Sequence, residues 1–228
     1  MIGDLKKIAN KSVLYIDHHQ TEDIKIPEEI FELRTIERGY IPVSRSVYEI
    51  LKRDEWICLA GAIWDSADLY PENKEFLEER LNELNMNLEQ FKEKVVKKMT
   101  NFMIYFNKDL NKAFERLKDI YEISELKILD KYSKKVQKEI DKHIKEFELK
   151  KETFGKVLFY YFEPEYSIKI EVVNYLSRKY PNNVLVFTTP KPENRISISM
   201  RNNSKEIDLV KLVNSYLKDI KGTRGGHF

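Results

Sequence analysis

The first apolar run is short. Residues 12–16 (Ser-Val-Leu-Tyr-Ile) lead straight into the polar triplet Asp17-His18-His19. A run of this length with β-branched content predicts a buried strand, with the triplet at its C-terminal end. In open α/β sheets that is the end where ligands bind. Residues 44–53 place apolar positions at helical spacing and predict an amphipathic helix. A second apolar stretch, 56–64, carries Gly61, runs into Asp65-Ser66-Ala67-Asp68 and closes at Pro71. From 72 to 152 there is no Gly and no Pro, and Leu, Phe, Ile and Val recur at helical spacing among Lys and Glu. This predicts three or four helices, the last over 128–147 and solvated on most of its surface. His143, in that Lys-rich helix, is expected at the surface.

After Gly155 the texture changes. Residues 156–162 predict a strand, 168–180 a helix, 183–188 and 196–201 two strands, and 207–220 a helix. Alternating elements of this size indicate a small α/β domain, with its boundary near 150–155. The chain is therefore divided into residues 1–71, 72–152 and 153–228. The aromatic string 159–162 is expected in the strand core rather than as a base-stacking platform. Trp56 and Trp64 are expected to pack, and Cys58 to be a small buried hydrophobe.

Composition narrows the class. Hydrophobic residues are 42% of the 228 and aromatics 12%, which excludes wholesale disorder. The single cysteine excludes a disulfide scaffold or a Cys-rich zinc site. No apolar run approaches the ~20 residues of a membrane span, and no signal-peptide core is visible, so no membrane partner and a cytoplasmic setting are expected. The 34% charged fraction, dominated by Lys and Glu, resembles proteins of hot-living organisms. The net charge of +2 is unevenly spread: residues 171–228 hold ten Lys and Arg against five Asp and Glu. A basic second domain facing an acidic first one suits an anionic substrate.

Three elements carry candidate chemistry. In Asp17-His18-His19, an imidazole can ligate a transition metal while a carboxylate orients its other nitrogen; the alternative is a surface turn without a role. In Gly61-Ala-Ile-Trp-Asp65, an apolar run ends in a carboxylate at a pocket edge, or Asp65 and Asp68 cap helices. At the end, Gly222-Thr-Arg-Gly-Gly-His227 has adjacent glycines that let backbone N–H groups approach a phosphate, or it is a flexible tail.

Taken in order, these elements resemble the DHH–DHHA1 phosphoesterase family. That family includes RecJ-type single-strand exonucleases, nanoRNase-type oligoribonucleases and cyclic-dinucleotide phosphodiesterases. Leu14-Tyr-Ile-Asp17-His18-His19 looks like its third motif, and Cys58-Leu-Ala-Gly61-Ala-Ile-Trp-Asp65-Ser-Ala-Asp68 its fourth. Ser197-Ile-Ser-Met-Arg201 and Gly225-Gly226-His227 look like the DHHA1 signature. The resemblance implies an α/β fold: part of a parallel-sheet DHH domain over 1–71, a helical connection over 72–152, and a smaller α/β DHHA1 domain over 153–228. It implies that His18 and Asp65 ligate a divalent metal, Mn²⁺ or Mg²⁺. Asp17 would orient His18, and His19 would sit near the scissile phosphate. Arg201, Gly225, Gly226 and His227 would grip the substrate's phosphate or terminal nucleotide. The implied chemistry is two-metal phosphodiester hydrolysis on single-stranded nucleic acid or short oligonucleotides, by an archaeal RecJ-like exonuclease.

The sequence departs from the family pattern at both ends. The upstream aspartate motifs have no counterpart, since Asp4 opens an apparent helix, and Arg224-Gly-Gly stands where a triple glycine is usual. The two-metal site is thus incomplete, and these 228 residues are expected to be part of a longer protein and inactive alone. Two alternatives follow: a catalytically degenerate scaffold of a replication or repair assembly, or a cyclic-dinucleotide or nanoRNase-type phosphodiesterase.

Overall fold

A computed structural model describes residues 13–18, 28, 30–34, 39–192, 195–204 and 207–216. The chain divides into two compact units, residues 1–103 with 109–133 and residues 104–108 with 134–228. Both mix helices and strands, so the architecture is α/β. Among the described residues no helix is long and apolar enough to cross a membrane.

In the first unit, β1 (Leu14–Asp17) pairs in parallel with β2 (Phe31–Arg34), from Leu14 opposite Phe31 to Asp17 opposite Arg34. The first strand forms as expected, but it is not buried: Leu14 is 52% and Phe31 76% exposed. The described sheet has two strands, which gives these side chains few neighbours to cover them.

Helix α1 (Val43–Leu51) follows Pro42, whose φ of −59° already suits a helix start. It ends where Lys52 turns left-handed. The apolar run 56–64 proves to be helix α2 (Glu55–Trp64), with Trp56, Cys58, Leu59, Ala60, Ala62 and Ile63 all buried. Burial on most sides removes the helical periodicity that would have identified it. Trp56 packs as expected, and its indole donates to the Tyr121 carbonyl at 3.0 Å. Trp64 does not: it is 61% exposed. Two helical turns after the exposed Ile57, it lies on the same outward stripe.

The Gly- and Pro-free region breaks more often than expected. It contains α3 (Lys74–Glu83), α4 (Leu88–Phe91), a π-helical turn (Lys92–Val96), α5 (Lys97–Tyr105), α6 (Leu110–Leu117) and α7 (Asp130–Lys150). Asn and Asp supply the punctuation instead. Asn85 adopts a φ of 53°, Asn87 and Gln90 form a capping box, and the Asp109 carboxylate accepts from the Lys112 N–H.

The second unit is built on a sheet ordered β3 (Glu152–Phe154), β4 (Val157–Tyr161), β5 (Val184–Lys191), β6 (Arg195–Asn202). β4 and β5 run parallel; the outer pairs are antiparallel. Helix α8 (Lys169–Lys179) makes the crossover between β4 and β5, and α9 (Leu209–Tyr216) follows β6. Val136, Ile140 and Phe147 of α7 and Val172, Val173 and Leu176 of α8 pack on Leu158, Tyr160, Phe162, Leu185 and Phe187. Of the aromatic string, Tyr160 and Phe162 are core, while Tyr161 is exposed. That is the alternation of a pleated strand.

His143 corrects an expectation. It is buried, at 3% exposure, between the Val136–Ile140 and Phe147 turns of α7. The positions 136, 140, 143 and 147 are spaced four, three and four, so they form one apolar stripe that the surrounding lysines obscured. Its ring meets Phe162 edge-on at 4.7 Å, and Nδ1 lies 3.4 Å from Tyr160 Oη. Burial lowers its pKa, opposed by Glu146 and Glu139.

One carboxylate ties α7 to α8. Glu148 accepts from Lys179 at 2.7 Å, Lys151 at 2.9 Å and the Tyr180 hydroxyl. Burial works to raise its pKa, but these donors outweigh it and hold it down to about 2, from an ordinary 4.5. Because the folded value lies below the unfolded one, its stabilisation is complete above pH 4.5 and lost as pH falls towards about 2. Glu148→Gln is expected to lower the denaturant midpoint at pH 6 and to flatten its fall between these limits. An unchanged slope in acid denaturation would refute the assignment.

Candidate metal centre

His18 is the first residue beyond β1, and Asp65 is the residue that ends α2. Each lies at the end of its element, where a side chain can leave the packed layer. The two converge: His18 Nε2 is 3.2 Å from Asp65 Oδ2, with the histidine side chain 9% and the aspartate 30% exposed. Two donors on one divalent cation, each about 2.1 Å from it at right angles, would be about 3 Å apart. One imidazole nitrogen and one carboxylate oxygen also suit Mn²⁺. The pair therefore fits two ligands of a single ion. Among the described residues no group of three or more His, Cys, Asp and Glu is placed to hold a metal.

Tyr40 frames the pair. Its hydroxyl donates to the Asp65 carbonyl at 2.9 Å, and its ring meets His18 edge-on at 5.2 Å. On the other side it stacks on Tyr70, with centroids 4.1 Å apart and planes 12° apart. Burial and then the Asp65 charge push its phenol up to about 12, so it remains a donor at neutral pH. The backbone of Tyr40 is also held: its N–H donates to the Glu72 carboxylate, and its carbonyl accepts from Asn73 Nδ2 at 2.7 Å. Arg45 of α1 then fastens the Glu72 carbonyl at 2.9 Å and Asn73 Oδ1 at 3.0 Å. None of Tyr40, Tyr70 or Asn73 was found from the sequence. They sit in loops without periodicity, and their roles arise only when 40 and 70 are brought together.

The other expected residues fare differently. The Asp17 carboxylate, at the end of β1, accepts from the Tyr15 hydroxyl at 2.9 Å. Asp68 is held by Lys92 of the π turn at 2.8 Å, a structural ion pair with the aspartate largely buried. Cys58 is buried, and its thiol is pushed up to about 12, chiefly by burial. Arg201 lies in the second unit, exposed on β6 opposite Leu185. His19, Gly225, Gly226 and His227 fall outside the described residues.

Residues 155–228 match the family model of the DHHA1 domain. No curated protein matches the chain. The match covers the region read as the small α/β domain and includes Arg201 and the Gly225-Gly226-His227 string.

Gly61 has a structural reason. A Cβ built on it would meet Ser44 Cβ at 2.9 Å and Ser44 Oγ at 3.0 Å, so the absence of a side chain lets α2 approach α1. This close approach positions the helix that ends in Asp65. Gly61→Ala is expected to cost about 1–3 kcal/mol of overpacking. Ser44→Gly in the same chain should recover most of it in urea titrations; a double variant as weak as the single one would contradict this.

Proposed function

We propose, from the DHHA1 domain carried by residues 155–228 and the convergence of His18 with Asp65, that the chain is a DHH-type phosphoesterase acting on single-stranded nucleic acid or short oligonucleotides. DHHA1 domains occur in DHH-family phosphoesterases, which supports a hydrolase. The observation that carries the metal-dependent reading is the 3.2 Å approach of His18 Nε2 to Asp65 Oδ2. In this reading His18 and Asp65 hold a Mn²⁺ or Mg²⁺, with His19 near the scissile phosphate. Asp17 supports the triplet from β1. Tyr40 fixes Asp65 through its backbone and packs on the imidazole edge, which keeps the donor pair from rotating apart. A bound divalent ion supplies charge neutralisation for the phosphate and an acidified water as nucleophile. Arg201 and the Gly225-Gly226-His227 string bind the phosphate or terminal nucleotide. A RecJ-like exonuclease is the favoured form. With two donors from the described residues, the chain by itself is expected to bind Mn²⁺ weakly, and turnover is expected only where further donors complete the site.

The test is Mn²⁺ titration of the full 228-residue chain, followed by the electron paramagnetic resonance of the unbound ion. Wild type should take up Mn²⁺, and His18→Ala or Asp65→Asn should each weaken uptake by about tenfold or more. Equal uptake by wild type and variants would remove His18 and Asp65 from the metal site. In parallel, fluorescence anisotropy with a labelled single-stranded oligomer and with a cyclic dinucleotide separates the substrate classes. Oligomer binding that persists in a chain taking up no Mn²⁺ would favour the scaffold of a replication or repair assembly instead.

A further inference from the structure

Among the described residues, one partly buried cation of the second unit has no carboxylate partner. Lys169 opens α8 and is only partly exposed. Its Nζ donates to Ser197 Oγ of β6 at 3.1 Å. Burial and then the neighbouring Lys191 push its ammonium below the ordinary lysine range, and among the described residues no carboxylate counters them. The position adds a third unfavourable influence, because the first turn of a helix carries the positive end of its dipole. By contrast, Lys151 and Lys179 in the same unit both share the Glu148 carboxylate. A desolvated ammonium with a single neutral partner is costly to keep unless an anion shares the site.

The sheet beneath is built to suit. Thr189 lies opposite Ser197 in register, and Lys191 opposite Arg195. Alternation along β5 places Thr189 and Lys191 on one face, and Ser197 directly across from Thr189 belongs to the same face. Thr189 Oγ1 is buried without a hydrogen-bond partner. Ser197 accepts from Lys169, which leaves its own hydroxyl proton to donate. Two ammonium groups and two hydroxyls thus gather with unspent donors.

We propose that Lys169, Lys191, Ser197 and Thr189 form an oxyanion subsite that takes a backbone phosphate of the bound oligonucleotide. Ser197 and Arg201 lie on the same face of β6, four residues or about 13 Å apart. The subsite therefore receives a different phosphate from the one assigned to Arg201, and a substrate that fills both spans more than one nucleotide. The assignment of a nucleic-acid phosphate rests on the preceding functional reading; the anion preference rests on the four residues alone.

The experiment uses the full chain and two probes. A labelled single-stranded oligomer is titrated by anisotropy over a range of salt concentrations. Inorganic phosphate is titrated while the ¹³Cε signal of Lys169 is followed by NMR, assigned by its loss in Lys169→Arg. Lys169→Met, which keeps the aliphatic stem, is expected to weaken oligomer binding by about tenfold irrespective of base sequence. It should also reduce the slope of log K against log salt by about 0.7, the value of one single-strand phosphate contact. Lys191→Gln, at an exposed position, should act in the same direction with a smaller loss. Phosphate should shift the Lys169 signal in wild type. Oligomer binding with affinity and slope unchanged in both variants overturns the subsite while leaving the nucleic-acid reading intact. No oligomer binding by wild type, with the Lys169 signal still moved by phosphate, supports the anion site and overturns the nucleic-acid reading. A Lys169 signal unmoved by phosphate overturns the anion site itself.

Discussion

The close approach of two helices at Gly61 governs the candidate metal centre. A Cβ there would collide with Ser44, so the distance between α1 and α2 is set by the absence of one carbon. Helix α2 is apolar on most sides and has little choice but to be buried. Its last turn is therefore held rigidly, and Asp65, just beyond it, inherits that rigidity. Helix α1 contributes at the same time through Arg45, which fastens the Glu72–Asn73 segment and through it Tyr40. The His18–Asp65 pair is thus a consequence of packing several residues away from it. A ligand placed at the end of a packed helix, as Asp65 is, is held more firmly than one carried on a loop.

The second unit treats its charges in two ways. Glu148 collects three donors and knits α7 to α8, so its charge is satisfied within the fold. His143 is buried against Phe162 and Tyr160, and burial lowers its pKa against the pull of Glu146 and Glu139. Lys169 differs from both: it is desolvated, close to another cation, and bonded to a hydroxyl. Glu148 meets its donors within the fold, whereas Lys169, at the start of α8, reaches only the Ser197 hydroxyl of β6 among the described residues.

Much of the secondary structure was visible in the order of residues. β1, α1, β4, α8, β5 and β6 fall close to their expected positions because each has either helical spacing or a β-rich apolar run. β2 and β3 were missed, being strands of four and three residues with no alternation to mark them. The helical region was read too coarsely because its breaks are made by Asn and Asp caps rather than by Gly and Pro. The burial of His143 is hidden in the sequence by neighbouring lysines, which mask the apolar stripe 136, 140, 143, 147. Trp64 is large and apolar, which predicts packing, but its phase on α2 points it outward.

The sequence by itself determined the α/β class, the small C-terminal domain, and the residue types able to hold a metal. These depend on local spacing and on side-chain chemistry, which the order of residues carries directly. Only the tertiary structure decided that His18 and Asp65 approach to 3.2 Å, that Tyr40 and Tyr70 stack beside them, and that Asp68 is claimed by Lys92. Only it revealed that Lys169 reaches Ser197, with no carboxylate among the described residues to counter its charge. Contacts between residues far apart in the chain depend on how elements pack, and packing is set jointly by many side chains rather than by any local pattern.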